Sequence, residues 1–289
     1  MISRRRHLSI LWATTVVILI AIYGYFYSNT SSHTSYLRVV FLDVGQGDSI
    51  YIEAPNGRQV LVDGGPDASV VSQLASVMPL FDKTIDLVVA THADADHIGG
   101  LSAVLDDYTV SRVLENGAGG KTKTYQKLEQ KIIDHHIQKD IARRGMHIII
   151  DEKENIYFDI LYPDRDVVNL DSNDGSIVGR LTYGGQSFML TGDAPNNVEN
   201  IIIKNEKPEF LKSSVLKLGH HGSHTSSSTE WLRAISPSYA IISAGLNNRY
   251  GHPHKETLDK LDSLQILYLA TYEKGNIEFD TDGVSLWQK

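Results

Sequence analysis

The chain of 289 residues is 42% hydrophobic, enough to fill the core of one large domain or two ordinary ones, which excludes a disordered chain or a miniature scaffold. It contains no cysteine, so disulfides and thiolate ligands are excluded and any metal must be held by imidazole and carboxylate. The formal charge is −8, and because residues 1–36 hold three Arg and no acid, the remainder carries 24 Lys+Arg against 35 Asp+Glu, or −11; a general nucleic-acid coat is excluded, a local basic track is not.

Arg4, Arg5 and Arg6 precede residues 8–27, which lack any charged side chain. Twenty such residues match the span of a bilayer helix and exceed the apolar core of an ordinary secretory signal. The expectation is a cytoplasmic basic segment over 1–7, a single-pass membrane anchor over 8–27 and a Ser/Thr-rich tether over 28–36. The domain over 37–289 would then lie outside the cell membrane, since basic residues stay in the cytoplasm. A cleaved signal with a secreted product is the alternative.

Strands are expected at 37–42, 49–53 and 59–62, separated by the turn signals Gly45-Gln46-Gly47-Asp48 and Pro55-Asn56-Gly57-Arg58. They read as an antiparallel meander whose third strand ends in Asp63-Gly64-Gly65. Helical spacing covers 70–80, and the apolar run 85–90 reads as a buried strand. That strand feeds Thr91-His92-Ala93-Asp94-Ala95-Asp96-His97-Ile98-Gly99-Gly100. Alternation places side chains 92, 94 and 96 on one side of the chain, and the following turn brings His97 to the same region, which is a chelating geometry. A lone Asp there would be read as a helix cap; four ligand types in six residues point to a metal. A helix over 98–105 and a strand over 112–114 follow.

The spacing of Leu128, Ile132, Ile133, Ile137 and Ile141 predicts a charged helix over 123–144, with His135 and His136 exposed on it. Strands are expected at 146–150 and 156–162, then a polar loop over 163–174 ending in Asn173-Asp174. The stretches 176–183 and 186–191 form a hairpin over Gly184-Gly185, and the second ends at Gly192-Asp193, again a carboxylate at a strand end. A helix over 195–205 and a strand over 214–218 lead to Gly219-His220-His221-Gly222-Ser223-His224. Ser223, Ser226, Ser227 and Ser228 read as caps for a helix over 228–235, not as nucleophiles. A strand over 239–243, the loop Asn247-Asn248-Arg249-Tyr250-Gly251-His252-Pro253-His254, a helix over 255–261 and strands over 266–270, 276–280 and 284–286 complete the chain. Each half runs from strands to helices. Two such halves predict an α/β fold with two sheets packed face to face and helices outside, in one domain of about 250 residues.

The order VDGG, THADADHIGG, LTGD and LGHHGS, with FLDVGQGDS before it and NRYGHPH after it, resembles the metallo-β-lactamase fold of metal-dependent hydrolases. Within that fold it is most similar to the extracytoplasmic hydrolase domain of ComEC-like DNA-uptake proteins. The resemblance implies a four-layer αβ/βα sandwich with two divalent metal ions, zinc or manganese, on one edge. It implies that His92 and Asp94 bind the first ion, that Asp96 and His97 bind the second, and that Asp193 bridges them. Asp63 would orient a ligand histidine from behind. Asp94 stands where the general pattern HxHxDH has a second His, and a hard oxygen there favours manganese beside zinc. Asn173 stands in for a missing histidine of the first ion. His221, which follows a strand directly, completes the second in preference to His220, whose neighbouring position alternation points the opposite way, and His252 and His254 face the substrate.

Such a pair of ions would activate a water for hydrolysis. The resemblance implies a phosphodiesterase or nuclease acting on extracellular DNA or RNA, with Asp96, His252 and His254 as its catalytic side chains. A single apolar span cannot form the transport channel that accompanies this domain in ComEC, so a DNA-uptake channel would be a separate partner. A phosphorylcholine esterase acting on cell-wall phosphodiesters is the competing enzyme, and a membrane-tethered binding protein with a dead site is the competing class.

Overall fold

The computed structural model describes residues 12–22, 24 and 35–289. The expected anchor over 8–27 lies partly outside them; of its described residues, 12–22 and 24 are helical. Among the described residues no helix is long and apolar enough to cross a membrane.

From Leu37 the strands β1 (Leu37–Phe41), β2 (Ile50–Glu53) and β3 (Gln59–Val62) form the expected antiparallel meander. After α1 (Ser69–Val77) and the short β4 (Thr84–Ile85), β5 (Leu87–Ala90) pairs in parallel with β3. Helices α2 (Ala95–Ile98) and α3 (Leu101–Asp107) and the two-residue β6 (Thr109–Val110) lead to β7 (Arg112–Glu115), parallel to β5. Val60–Val62 of β3, all of β5 and Val113-Leu114 of β7 are apolar without alternation because both faces of the sheet are covered there.

The helix expected over 123–144 is shorter. Helix α4 (Lys123–Asp134) ends where His135 caps it and His136 turns left-handed at φ 55°, and β8 (Gln138–Ile141) then runs parallel to β7 at the sheet edge. Ile137 and Ile141 continue the helical spacing by coincidence; backbone pairing to β7 overrides it. His135 and His136 therefore lie beyond the helix.

The second sheet begins with the antiparallel run β9 (His147–Asp151), β10 (Ile156–Tyr162), β11 (Val178–Tyr183) and β12 (Gln186–Leu190). Helices α5 (Asn196–Asn205) and α6 (Pro208–Leu211) precede β13 (Val215–Lys217), α7 (Thr229–Ile235) precedes β14 (Tyr239–Ile242), and α8 (Lys255–Ser263) precedes β15 (Leu267–Ala270). The strands β12 to β15 are parallel neighbours. After the one-turn α9 (Thr271–Lys274), β16 (Ile277–Thr281) returns to the first sheet beside β1, and β17 (Leu286–Gln288) pairs with β16 at the edge. The last strand starts later than expected because Asp282 accepts from the amides of Val284 and Ser285 and holds them in a turn.

The result is an eight-stranded sheet facing a seven-stranded one. Phe41, Ile52, Val62 and Val89 of the first meet Phe158, Leu181, Phe188 and Ile241 of the second in the central core. The opposite face of the first sheet packs Leu61, Val88 and Val113 on Leu74, Leu101 and Leu128 from the helices. The second does the same with Met189, Leu216 and Ile242 on Ile202, Trp231 and Leu261. These are the four layers of the expected αβ/βα sandwich. The carboxyl ends of the parallel strands open along one edge, where α/β proteins bind their ligands.

Candidate metal centre

Asp63 follows β3 in a left-handed conformation, φ 59°, which turns its carboxylate inward. One oxygen accepts from the Thr91 amide at 2.8 Å; the other accepts from Thr91 Oγ1 and faces His97 Nδ1, both at 2.7 Å. Two glycine pairs make this crossing possible. The amide of Gly64 donates to His97 O at 2.6 Å, and a Cβ on Gly99 or Gly100 would overlap the carbonyls of Pro66 or Gly64. Helix α2 is thus seated directly on the end of β3, and His97 can present only Nε2 to the edge.

From the second sheet, Gly192 at φ 50° turns the chain after β12 so that Asp193 points back between the sheets. The expectation separated His220 from His221 by strand alternation. In the structure β13 ends at Lys217, and both histidines sit in the 3-10 turn Gly219–Gly222 with left-handed backbone, φ 49° and 56°. Both therefore reach Asp193, at 3.8 Å for His220 and 3.4 Å for His221. They differ in depth: His221 is buried, with Nδ1 directed at Ser243 O at 2.9 Å, whereas His220 is partly exposed.

Asp193 is the hub. Its carboxylate lies 4.0 Å from His92 Nε2, 3.2 Å from His97 Nε2 and 3.4 Å from His221 Nε2. Asp94 stands 3.6 Å from His92 Nε2, and Asp96 3.4 Å from His221 Nε2. The outer nitrogens are engaged: His92 Nδ1 by Thr91 Oγ1 at 3.0 Å, His97 Nδ1 by Asp63, His221 Nδ1 by Ser243 O. A histidine that donates from Nδ1 keeps its lone pair on Nε2. Those three Nε2 atoms and Asp193 Oδ1 are buried with no hydrogen-bond partner among the described residues, a set of donors that fits divalent cations.

The electrostatics agree. Burial pushes His92 down to about 4, with the neighbouring His97 adding to the effect. Burial also disfavours charge on His97 and His221, yet Asp193 foremost among the carboxylates outweighs it and holds both well above the ordinary range. For Asp96 burial works in the other direction, but His221, 3.4 Å away, and the charge of His97 bring it to about 2. The carboxylates thus demand positive charge at this point.

Two residues were not assigned from sequence. Asp48, from the β1–β2 turn, and Lys217, at the end of β13, are buried and form an ion pair. Lys217 Nζ also donates to Gly192 O at 3.2 Å and lies 3.8 Å from Asp193 Oδ1. Asp48, His97, Asp193 and His221 offer ligand atoms within 4.8 Å of one another. Asp48 nevertheless meets the Nδ1 side of both histidines, at 3.8 and 3.3 Å, and already has a cation. Its place is behind the ligands, beside Asp63. A charged residue inside the apolar run Val215-Leu216-Lys217-Leu218 was the available signal for Lys217.

The remaining expected residues spread outward from the hub. Asn173, in a 3-10 turn, has its Nδ2 3.5 Å from His220 Nδ1, with Oδ1 buried and unpartnered. His252 packs 5.2 Å from the His220 ring and lines the mouth with Gln46, Asp94, Asp96, Asp193, His221 and Tyr250. Burial, then His220, His221 and His254, push His252 down to about 4, so at neutral pH it is an uncharged hydrogen-bonding group. His254 sits one step further out, its Nδ1 2.9 Å from His224 Nδ1 and accepting from the His224 amide.

A four-layer sandwich with imidazoles and carboxylates gathered at one edge defines a metal-dependent hydrolase of the metallo-β-lactamase type. The sequence profile described as the metallo-beta-lactamase superfamily matches residues 42–246, and the chain belongs to that superfamily. Among characterised sequences it is similar to ComE operon protein 3 of Bacillus subtilis, 33% identical over 84% of this chain and 33% of that one. It is likewise similar to competence protein ComA of Neisseria gonorrhoeae, 29% identical over 83% of this chain and 32% of that one. These relatives are ComEC-like, and the chain spans about a third of their length. A metallo hydrolase from the archaeon Ignicoccus hospitalis has the same fold, with a TM-score of 0.57 at 15% identity, covering 85% of this chain and 99% of that one.

Proposed function

We propose that the protein is a phosphodiesterase that cuts nucleic acid with two divalent cations, at the outer face of the membrane. The observation that carries the reading is the donor set around Asp193: three unpartnered Nε2 atoms together with Asp94 and Asp96. Carboxylate-rich sites suit hard cations and anionic substrates. His92, Asp94 and Asp193 would hold one ion, with Asn173 standing beside His220; Asp96, His97, His221 and Asp193 would hold the other. When bound, the ions supply the Lewis acidity that makes water nucleophilic near neutral pH and neutralises a phosphoryl oxygen. Asp63 and Ser243 O fix the tautomers of His97 and His221, keeping their lone pairs turned inward. His252, neutral and at the mouth, supplies a hydrogen bond to the leaving oxygen. Competence proteins among the relatives support nucleic acid as the diester.

The full chain supplied with Mn²⁺ or Zn²⁺ is tested on single- and double-stranded DNA, RNA, bis-p-nitrophenyl phosphate and p-nitrophenyl phosphorylcholine, beside the double variant Asp96→Ala, His97→Ala. Cleavage of DNA or RNA that the double variant loses is expected. Turnover of the generic diester or of the choline ester with every nucleic acid left intact defeats the reading. The outer-face placement rests on Arg4 to Arg6 before the apolar stretch 8–27. A reporter fused to the C-terminus should be active only outside the cytoplasm.

A further inference from the structure

The loop after β14 carries chemistry that the metal centre does not use. Asn248 clips it: its side-chain amide donates to the carbonyls of Gly245 and His252, and its Oδ1 accepts from the amides of Tyr250 and His252 at 3.1 and 3.0 Å. The loop is anchored to the first sheet through Gly245 N, which donates to Gln46 Oε1 at 3.2 Å. Held this way, Arg249, Tyr250 and His252 come together. The Arg249 guanidinium lies 4.8 Å from the centroid of Tyr250, and the Tyr250 ring is stacked on His252 at 5.7 Å with 19° between planes. His252 in turn lies 6.0 Å from His221, whose Nε2 faces Asp96 and Asp193. Tyr250 remains 46% exposed and forms part of the mouth of the site.

We infer that Arg249 and Tyr250 form a stacking step for an unpaired base of single-stranded nucleic acid, placed beside the phosphate to be cut. The inference rests on the phosphodiesterase reading and narrows its substrate. Flat rings and guanidinium planes take bases irrespective of sequence, and a guanidinium next to the ring also meets the backbone phosphate. A base within a duplex is stacked on its neighbours and has no free face to offer. A choline headgroup is disfavoured for a different reason. Quaternary ammonium needs an aromatic face without a competing cation, and the Arg249 charge 4.8 Å from the Tyr250 centroid repels it, whereas a neutral base meets no such repulsion. Asn248 fixes the step in advance, so little ordering is required when the strand binds.

The test compares the full wild-type chain with Tyr250→Ala, Tyr250→Trp and Arg249→Ala, all supplied with Mn²⁺. The substrates are a thymine single strand and the same strand with an abasic residue at the cutting position. The wild type should show a KM about tenfold lower for the strand that keeps its base. Tyr250→Ala should erase that difference, Tyr250→Trp should keep it, and Arg249→Ala should reduce it. A 2-aminopurine in place of the thymine should be quenched on binding to the wild type and to Tyr250→Trp, and not to Tyr250→Ala. Equal KM values for the two strands with the wild type, or a preference that survives Tyr250→Ala, overturn the inference while leaving the nuclease reading intact. Tyr250-dependent quenching without cleavage of any nucleic acid supports the stacking step and removes the nuclease.

Discussion

Lys217 shows how a single side chain can set the charge of the whole centre. Asp48, Asp63, Asp94, Asp96 and Asp193 bring five carboxylates to one edge, and Lys217 is the fully buried ammonium among them. With two divalent cations the positive charges would match the five negative ones. Burial alone would raise Asp48, but Lys217 leads the neighbours that hold it below the ordinary range. Breaking a buried pair from one side costs about 3–5 kcal/mol, because the remaining charge has neither water nor partner. Lys217→Met should therefore lose about that much stability in urea denaturation. Adding Asp48→Asn should return most of it. A single variant as stable as the wild type would mean that the pair is not closed in solution. Neither member was assigned from the sequence, although His92, Asp94, Asp96, His97 and Asp193 were, and the reason is physical. Ligands crowd into short motifs because a strand end can present several at once. Supporting charges come from wherever the fold happens to pass, here a β1–β2 turn and the last residue of β13.

Elements near the site were legible because turn chemistry marks their ends. The strands before Asp63, His92 and Asp193 finish in glycines or ligand residues, and those boundaries came out nearly as expected. Where no such punctuation exists the spacing misleads, as in β8, whose Ile141 extends the period of α4 although the chain has already turned at His136. The most constrained junction is that between α2 and α3. A Cβ on Gly100 would overlap the carbonyls of Gly64 and Asp67, so the helix pair cannot rest on the end of β3 unless this position is glycine. Gly100→Ala should cost about 1–3 kcal/mol through overpacking. Because the shift moves His97 away from Asp63, metal affinity measured by calorimetry should fall as well. Unchanged affinity in a destabilised protein would show that α2 tolerates the movement.

At the scale of the whole molecule, the centre is where the two sheets are joined chemically. Asp63, His92, Asp94, Asp96 and His97 follow strands of the first sheet, whereas Asp193, His220 and His221 follow strands of the second. The return of β16 and β17 to the β1 side of the first sheet was not visible in the sequence, since nothing in a short apolar run states which sheet edge it will join. It matters, because it makes the first sheet a single body from the C-terminus to β8, leaving the site edge as the seam between the sheets. Cations shared across that seam bind only the folded arrangement and must stabilise it. At a free concentration about a thousandfold above Kd the linkage amounts to about 4 kcal/mol. For a domain of this size that is on the order of 10 °C in Tm. Calorimetric scans of the full chain should show a fall of that order after EDTA treatment and dialysis, reversed by Mn²⁺ or Zn²⁺. The Asp96→Ala, His97→Ala variant should melt at nearly the same temperature with and without chelator. A wild-type Tm indifferent to chelator and metal would mean that the unpartnered nitrogens around Asp193 hold no ion, and the hydrolytic reading would fall with them.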